Sequence, residues 1–392
     1  MSDVIRQFRD FFVSLKLTIV LLALSILLIF AATLDQVNLG IWAVQQKYFH
    51  SFFVLWRVGD IPVPVFPGGY FIGGLLLINL ISAQVYRFKL SAKKFGIWLT
   101  HIGLILLLIG ELLTGLLQQE FAMQIDEGET KNYSESYRLS EVAITETTDP
   151  KFDDVVAIPE TAVARGDAIQ HPKLPFRVVP KTYYPNAALA QRKDKPGINT
   201  PPSLATAGIG AQVEVTPLPV TYQQNLRNLP AAFIELVGPE GSLGTWLVSP
   251  QLSTPQNFDY GGRTWKIAFR ATRSYKPFSL TLLNFSFDRY PGTEIPKNFS
   301  SRLRLNTPDG RDDREVLIYM NNPLRHAGLT FYQADYDHVN ERYTVLQVVR
   351  NPSWQFPYIA CSLMTLGLII QFCIHLVAFF AKRRTSSKSV TT

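Results

Sequence analysis

The sequence predicts a membrane α-helical protein with four transmembrane helices and one large extracytoplasmic, mostly β domain, an antiparallel sandwich or curled sheet. Three observations carry this expectation. Four apolar runs reach bilayer length. The residues between the third and fourth run, 118–355, fall into short β-rich stretches broken by turns. Both cysteines, Cys361 and Cys373, lie in the last apolar run, so the polar domain must build its core without disulfides. A chain that is 47% hydrophobic and 18% charged has the balance of a few spans plus a substantial polar domain.

Along the chain, the first span is expected at 17–34, bounded by Lys16 and Asp35. Its apolar core outruns the usual h-region and Ala31-Ala32-Thr33 is a weak cleavage match, so it reads as an uncleaved anchor. Next, Ile41, Val44, Tyr48, Phe49, Phe52, Phe53 and Trp56 follow helical spacing, which predicts an interfacial amphipathic helix over 41–56. The second span covers 68–86, where Gly69 and Gly73 make a Gly-x-x-x-Gly that permits close backbone approach. The third covers 95–117, with Gly96, Gly103 and Gly110 at a spacing of one heptad on one stripe. The fourth begins the last region, 356–392, and is followed by Lys382, Arg383, Arg384 and Lys388 without an acid. Three regions result: a membrane region 1–117, a β-rich domain 118–355, and the last span with its basic tail, 356–392.

Charge sets the orientation. The segment 87–94 carries Arg87, Lys89, Lys93 and Lys94 and no acid, whereas Glu120, Asp126, Glu127 and Glu129 follow the third span. The positive-inside rule then puts both termini and 87–94 in the cytoplasm and 118–355 outside an energy-transducing or plasma membrane. In that outer domain, strands are expected at 232–237, 245–248, 263–271, 279–287, 302–305, 315–319, 329–333 and 343–349. Gly238-Pro239-Glu240-Gly241, Tyr260-Gly261-Gly262, Pro291-Gly292 and Pro308-Asp309-Gly310 supply the turns. Residues 185–230, rich in Pro, Ala, Asn and Gln, read as a long loop or helical excursion.

The formal charge of +7 does not indicate nucleic acid, because the excess bases flank apolar segments and no stacking motif accompanies them. No Cys-x-x-Cys pair, Gly-x-Ser-x-Gly, His-Glu-x-x-His or phosphate loop occurs, which argues against thiol–disulfide exchange and against the commonest hydrolytic and nucleotide chemistries. His326 and His338, flanking Asp335 and Asp337, are two loop histidines without a third ligand. The intramembrane polar groups are more telling, since an ionisable side chain is costly there. His101 lies roughly 9 Å inside the start of the third span, and His375 roughly 9 Å inside the end of the fourth, at 1.5 Å per residue. Two imidazoles at matched depth on facing helices can ligate a haem iron; a helix-packing hydrogen bond is the alternative. His101 sits about 160° around its helix from Gly103, away from the glycine stripe. Glu111, near the outer end of the same helix, is an interfacial or packing group, or a functional one.

Several motifs in order resemble the ResB/Ccs-type cytochrome c biogenesis proteins. They are Tyr48-Phe49-His50-Ser51-Phe52-Phe53, Leu76-Leu77-Ile78-Asn79-Leu80 with Arg87, and Trp98-Leu99-Thr100-His101-Ile102-Gly103-Leu104. Tyr290-Pro291-Gly292-Thr293 with Pro296 and Phe299-Ser300-Ser301 follows, then the run from Asn322-Pro323 through His326-Ala327-Gly328 to Tyr332-Gln333. The resemblance implies the system II pathway, in which haem b crosses the membrane and is attached to apocytochrome c. It implies a ResC/CcsA-like partner carrying a tryptophan-rich haem-handling motif, absent here because the six Trp residues are scattered. The chain would then be one half of a haem lyase, unable to act alone, with His101 and His375 as candidate axial ligands. Two readings compete: a non-enzymatic membrane-anchored scaffold using its outer domain, and a small b-type electron carrier.

Overall fold

The computed structural model describes residues 3–59, 61–87, 90–149, 152–192, 203–221, 227–293, 296–336 and 342–389. It divides into two compact units, one of Met1–Gln119 with Arg350–Thr392 and one of Glu120–Thr221 with Asn225–Val349.

The first unit begins with an element that the apolar-run reading did not anticipate. Helix α1, Asp3–Phe12, exposes Val4, Phe8 and Phe11 at a spacing of one helical face, the pattern of a helix lying on an interface. A break at Val13 and Ser14 separates it from α2, Leu15–Leu39. The break is held by Asn79, which is 3% exposed. Its amide donates to the carbonyls of Phe12 (2.6 Å) and Ser14 (3.2 Å), and its oxygen accepts from the Thr18 hydroxyl at 2.6 Å. A buried amide in an apolar bundle is tolerated only when satisfied in this way.

Helix α2 runs past the expected end at 34 and stops before Gly40, whose φ of 77° suits a residue without Cβ. Asp35 therefore lies inside the last turns, where Lys47 Nζ (2.6 Å) and the Tyr48 hydroxyl (2.8 Å) meet its carboxylate. The expected interfacial helix over 41–56 is corrected. Helix α3, Ile41–Val44, continues as a π-helical turn Gln45–Phe49 and ends there; β1, Phe53–Val58, and β2, Ile61–Pro67, then form an antiparallel hairpin. Its second strand carries Pro62, Pro64 and Pro67, which an edge strand accepts. Helix α4 is Gly69–Tyr86 and α5 is Phe95–Leu117.

The second unit is antiparallel throughout its named strands. In chain order these are β3 (Gln119–Asp126), β4 (Thr130–Glu146), β5 (Asp154–Pro159), a short helix α6 (Glu160–Arg165), β6 (Arg177–Tyr184), β7 (Ala187–Gln191) and β8 (Val213–Pro217). Then come β9 (Ala231–Gly238), β10 (Gly241–Val248), β11 (Gln256–Tyr260), β12 (Arg263–Arg289), β13 (Pro296–Asn306), β14 (Asp313–Tyr319), β15 (Leu324–His326), β16 (Leu329–Tyr336) and β17 (Tyr343–Arg350). The largest sheet has ten strands, its main path β14-β13-β12-β4-β3-β17-β16-β15. A bridge between Tyr319 and Asn322 brings its two ends together, so the sheet is curled almost closed. The segment 185–230, expected as a loop or helical excursion, instead supplies β7 and β8, which pair with each other, and a 3₁₀ turn at Gly208–Gln212.

Among the described residues three apolar clusters fill this unit, and β12 serves the two largest. Trp265, Ile267 and Phe269 from its first half join Val142, Ile144, Val178, Ile234 and Leu236. Phe278, Leu280, Leu282 and Phe285 from its second half join Met123, Ile125, Leu303, Phe331 and Leu346. The changeover falls at Tyr275–Leu280, where the pairing of β12 with β4 slips register around Pro277.

The chain ends in α7, Phe356–Ser389, which packs antiparallel on α5.

Candidate functional site

The glycine stripe on α5 sets how the helices meet. A Cβ on Gly96 would collide with the Gly367 carbonyl and lie 2.6 Å from Gln371; on Gly103, 2.6 Å from Met364; on Gly110, 2.6 Å from Phe356. Only hydrogen fits at these positions, so backbone packs on backbone and the axial register is fixed. Gly69 plays a like part against the Phe49 backbone, at 2.5 Å. Gly73, expected to share that packing, has nothing within 4 Å.

His101 lies two residues before Gly103, which by the turn angle of a helix puts it on the side of α5 away from α7. It is half-buried. Its Nδ1 is 2.8 Å from the Ile97 carbonyl. A carbonyl only accepts, so Nδ1 carries a proton in this contact, the kind of hydrogen bond that orients an imidazole ligating through Nε2.

His375 is exposed, and its Nε2 lies 2.9 Å from the Gln371 amide nitrogen, which also reaches the Lys93 carbonyl at 3.3 Å. The helix register separates the two histidines. Gly103 faces Ala360 and Met364, so His101 is level with about Met364. His375 is eleven residues further on, an axial offset of roughly 16 Å at 1.5 Å per residue. Equal depth, inferred by counting from the ends of two apolar runs, is not what the packing makes. The apolar part of α7 extends past the start of α5, so the two run ends are not level. The histidines are not brought together.

His326 ends β15. Its ring meets Phe278 edge-on at 4.7 Å between centroids, and its Nδ1 is 3.5 Å from the Asp312 carboxylate. His338 and Asp337 lie outside the described residues. Among the described residues no cluster of three His, Cys, Asp or Glu has metal-binding geometry. Glu111 lines a cavity beside His50 and Tyr70.

The motif from Asn322 to Gln333 has a structural account. His326 and Leu329 pair across a two-residue turn in which Ala327 (φ 49°) and Gly328 (φ 74°) both adopt left-handed conformations, as a type I′ hairpin demands. Gln333 then ties up buried hydroxyls. Its oxygen accepts from Ser301 at 2.6 Å, and its amide donates to Thr344 at 2.7 Å and to the Asp335 carbonyl at 3.2 Å. Ser301 and Thr344 are each 0% exposed. Close by, Tyr336 stacks on Phe285 and Phe287 and leans on Phe299. These residues fold the second core, and no pattern of letters separates such a role from a chemical one.

Comparison with known proteins matches residues 256–341 to the ResB-like family. That segment holds β11 through β16, including the hairpin, Ser301 and Gln333. The chain is 37% identical over 93 residues to Protein NrfI of Wolinella succinogenes, covering 24% of this chain and 10% of that protein. It is 39% identical over 79 residues to the cytochrome c biogenesis protein CcsB of Synechococcus sp. (strain WH7803), covering 20% of this chain and 17% of CcsB. For CcsB of Prochlorococcus marinus (strain MIT 9313) the figures are 37% over 97 residues, 24% and 21%. The matches thus span about a fifth or less of these relatives' lengths, and two of the three relatives are named cytochrome c biogenesis proteins. Membrane-length helices and a curled antiparallel sheet make up the chain, and its residues 256–341 are similar to the ResB-like family.

Proposed function

We propose that the protein is the ResB-like subunit of a system II cytochrome c synthase, which takes haem b across the membrane and presents it for attachment to apocytochrome c. In this reading the termini are cytoplasmic, the unit 120–349 is extracytoplasmic, and a ResC/CcsA-like, tryptophan-rich membrane protein completes the lyase. Haem is cargo here, and His101 is its ligand on this chain. The observation that carries the assignment is the imidazole itself: it is half-buried in an apolar helix, turned away from the α7 interface, with its ring oriented by the Nδ1 hydrogen bond to the Ile97 carbonyl. A neutral imidazole is a haem iron ligand, and two give a six-coordinate low-spin centre. The offset of roughly 16 Å argues that the second ligand comes from the partner and not from His375.

The test is His101→Gly beside His375→Gly in the full chain co-expressed with its partner. His101→Gly should lower the haem that co-purifies, by pyridine haemochrome, at least fivefold, with part restored by added imidazole. His375→Gly should leave it within a factor of two. Full haem in His101→Gly would remove His101 from the site, and a loss in both variants would restore the intrachain pair.

A further inference from the structure

We infer that the cavity beneath the π turn Gln45–Phe49 is a binding site for a membrane quinone or quinol head group. The cavity has a volume of about 660 Å³ and lies between that turn, α4 and α5, within the range of sites for small organic ligands.

Its space is made by glycines. Gly73 and Gly74 face it from α4, and a Cβ on either would meet nothing within 4 Å. Packing therefore does not require glycine at these two places, in contrast to the α5 stripe, where it does. At the opposite wall, a Cβ on Gly115 would lie 3.0 Å from the Tyr70 hydroxyl and 3.5 Å from His50 Nε2. Two polar atoms thus converge on one point that a side chain would fill.

The polar groups are few and complementary. The rings of His50 and Tyr70 stack at 5.6 Å with an interplanar angle of 11°. The Gln46 amide nitrogen donates to His50 Nδ1 at 3.2 Å, so the ring proton is on Nε2. His50 thus offers a donor, Tyr70 a hydroxyl of either sense, and Glu111 an acceptor. Among the described residues, no group of the chain hydrogen-bonds the Tyr70 hydroxyl or the Glu111 carboxylate. Glu111 is exposed near the outer end of α5, so its carboxylate is open to a ligand in the cavity or to water.

Charge selects the ligand class. Glu111 is the one charged residue of the lining, which holds no Lys or Arg. A phospholipid phosphate or the propionates of haem would meet a carboxylate and no cation, and are disfavoured. A quinone ring is neutral, its carbonyls accept from His50 and Tyr70, and in the reduced form its hydroxyls donate to Glu111. Its isoprenoid tail is at home beside Leu77, Leu108 and Leu112, and such a molecule reaches an intramembrane cavity directly from the lipid.

The experiment uses the full chain with its partner, in detergent, and a decyl-substituted benzoquinone as probe. The wild type should bind one equivalent saturably above the partition into protein-free micelles. Gly74→Leu and Gly73→Leu should each weaken binding at least tenfold, and Glu111→Gln and Tyr70→Phe several-fold for the reduced probe, with unchanged thermal midpoints. Binding that does not saturate, that survives both leucines, or that phosphatidylglycerol displaces at equal concentration would overturn the inference. Haem measured on the same samples keeps the two readings apart: haem retained without quinone binding removes only this site, and quinone bound by a haem-free wild type removes only the haem reading.

Discussion

Single residues in this protein are read best through their hydrogen bonds. Gln333 stands in the segment that matches the ResB-like family, yet its partners are two buried hydroxyls and a carbonyl, which makes it a core residue with polar ends. Ala327 holds a left-handed conformation that costs a side chain about 1 kcal/mol, at a position where Asn or Gly is the usual choice. Lys276 is the least comfortable group in the β unit. It is 7% exposed and its amine has only the Ser134 hydroxyl (2.7 Å) and the Ser274 carbonyl (3.0 Å) as hydrogen-bond partners among the described residues. Burial pushes its pKa down from 10.5 to about 8. Its charged form is therefore disfavoured in the folded state, and between about pH 8 and 10.5 the unfolded chain binds the proton more strongly. Stability should rise with pH across that window, and Lys276→Met should flatten the rise. Thermal unfolding of both proteins at pH 7.5, 9 and 10.5 tests this; an equal pH slope in the two would refute it. No pattern in the sequence marked Lys276, because burial of a lysine depends on which strands close over it.

At the level of elements, sequence pattern was a good guide where one period dominated. The α5 span and its glycine stripe are where heptad spacing placed them. Pattern misled where two periods fitted the same letters. Phe49, Phe52, Phe53 and Trp56 satisfy helical spacing, but the chain turns to a strand at Phe53, and the prolines of the next strand give the hairpin away only once its partner is known. Depth misled for another reason: apolar length reports where a helix can be, and interlocking surfaces report where it is. The α5–α7 contact should therefore be intolerant in a position-specific way. Gly103→Leu puts side-chain atoms where Met364 and the Ala360 carbonyl already are, and should cost about 2 kcal/mol or more. As a control, Leu104→Ala, at an exposed position of the same turn, should cost far less. Melting of full-length variants in detergent measures the difference; equal midpoints would show that the helices separate in the native protein.

For the molecule as a whole, its sidedness is the property that every functional reading needs. Basic residues cluster at 87–94 and 382–388, while Glu120, Asp126, Glu127 and Glu129 follow α5. Reporter fusions should score external after Gly310 and internal after Thr392. An internal score at Gly310 would invert the protein and place His101 near the opposite face. The four membrane-length helices were legible as apolar runs, and the curled sheet only as a set of strands. Pairing order was not legible, because strands far apart in sequence meet through surfaces that no local window contains.

That pairing order has a consequence for the time course of synthesis. Strands β3 and β4 are made directly after α5, but their neighbours β17 and β12 come much later, and β17 is completed just before α7. The first strand out must therefore wait for the last. Until β12 is made the long β4 presents one unpaired edge, and until β17 is made β3 does, the form in which a chain is most prone to join a neighbour instead of itself. Loop closure over so many residues is slow, as non-local pairing generally is. A nascent chain of this design depends on being kept apart from its copies until translation is nearly over, and its yield in a cell is set by that interval as much as by the stability of the finished sheet.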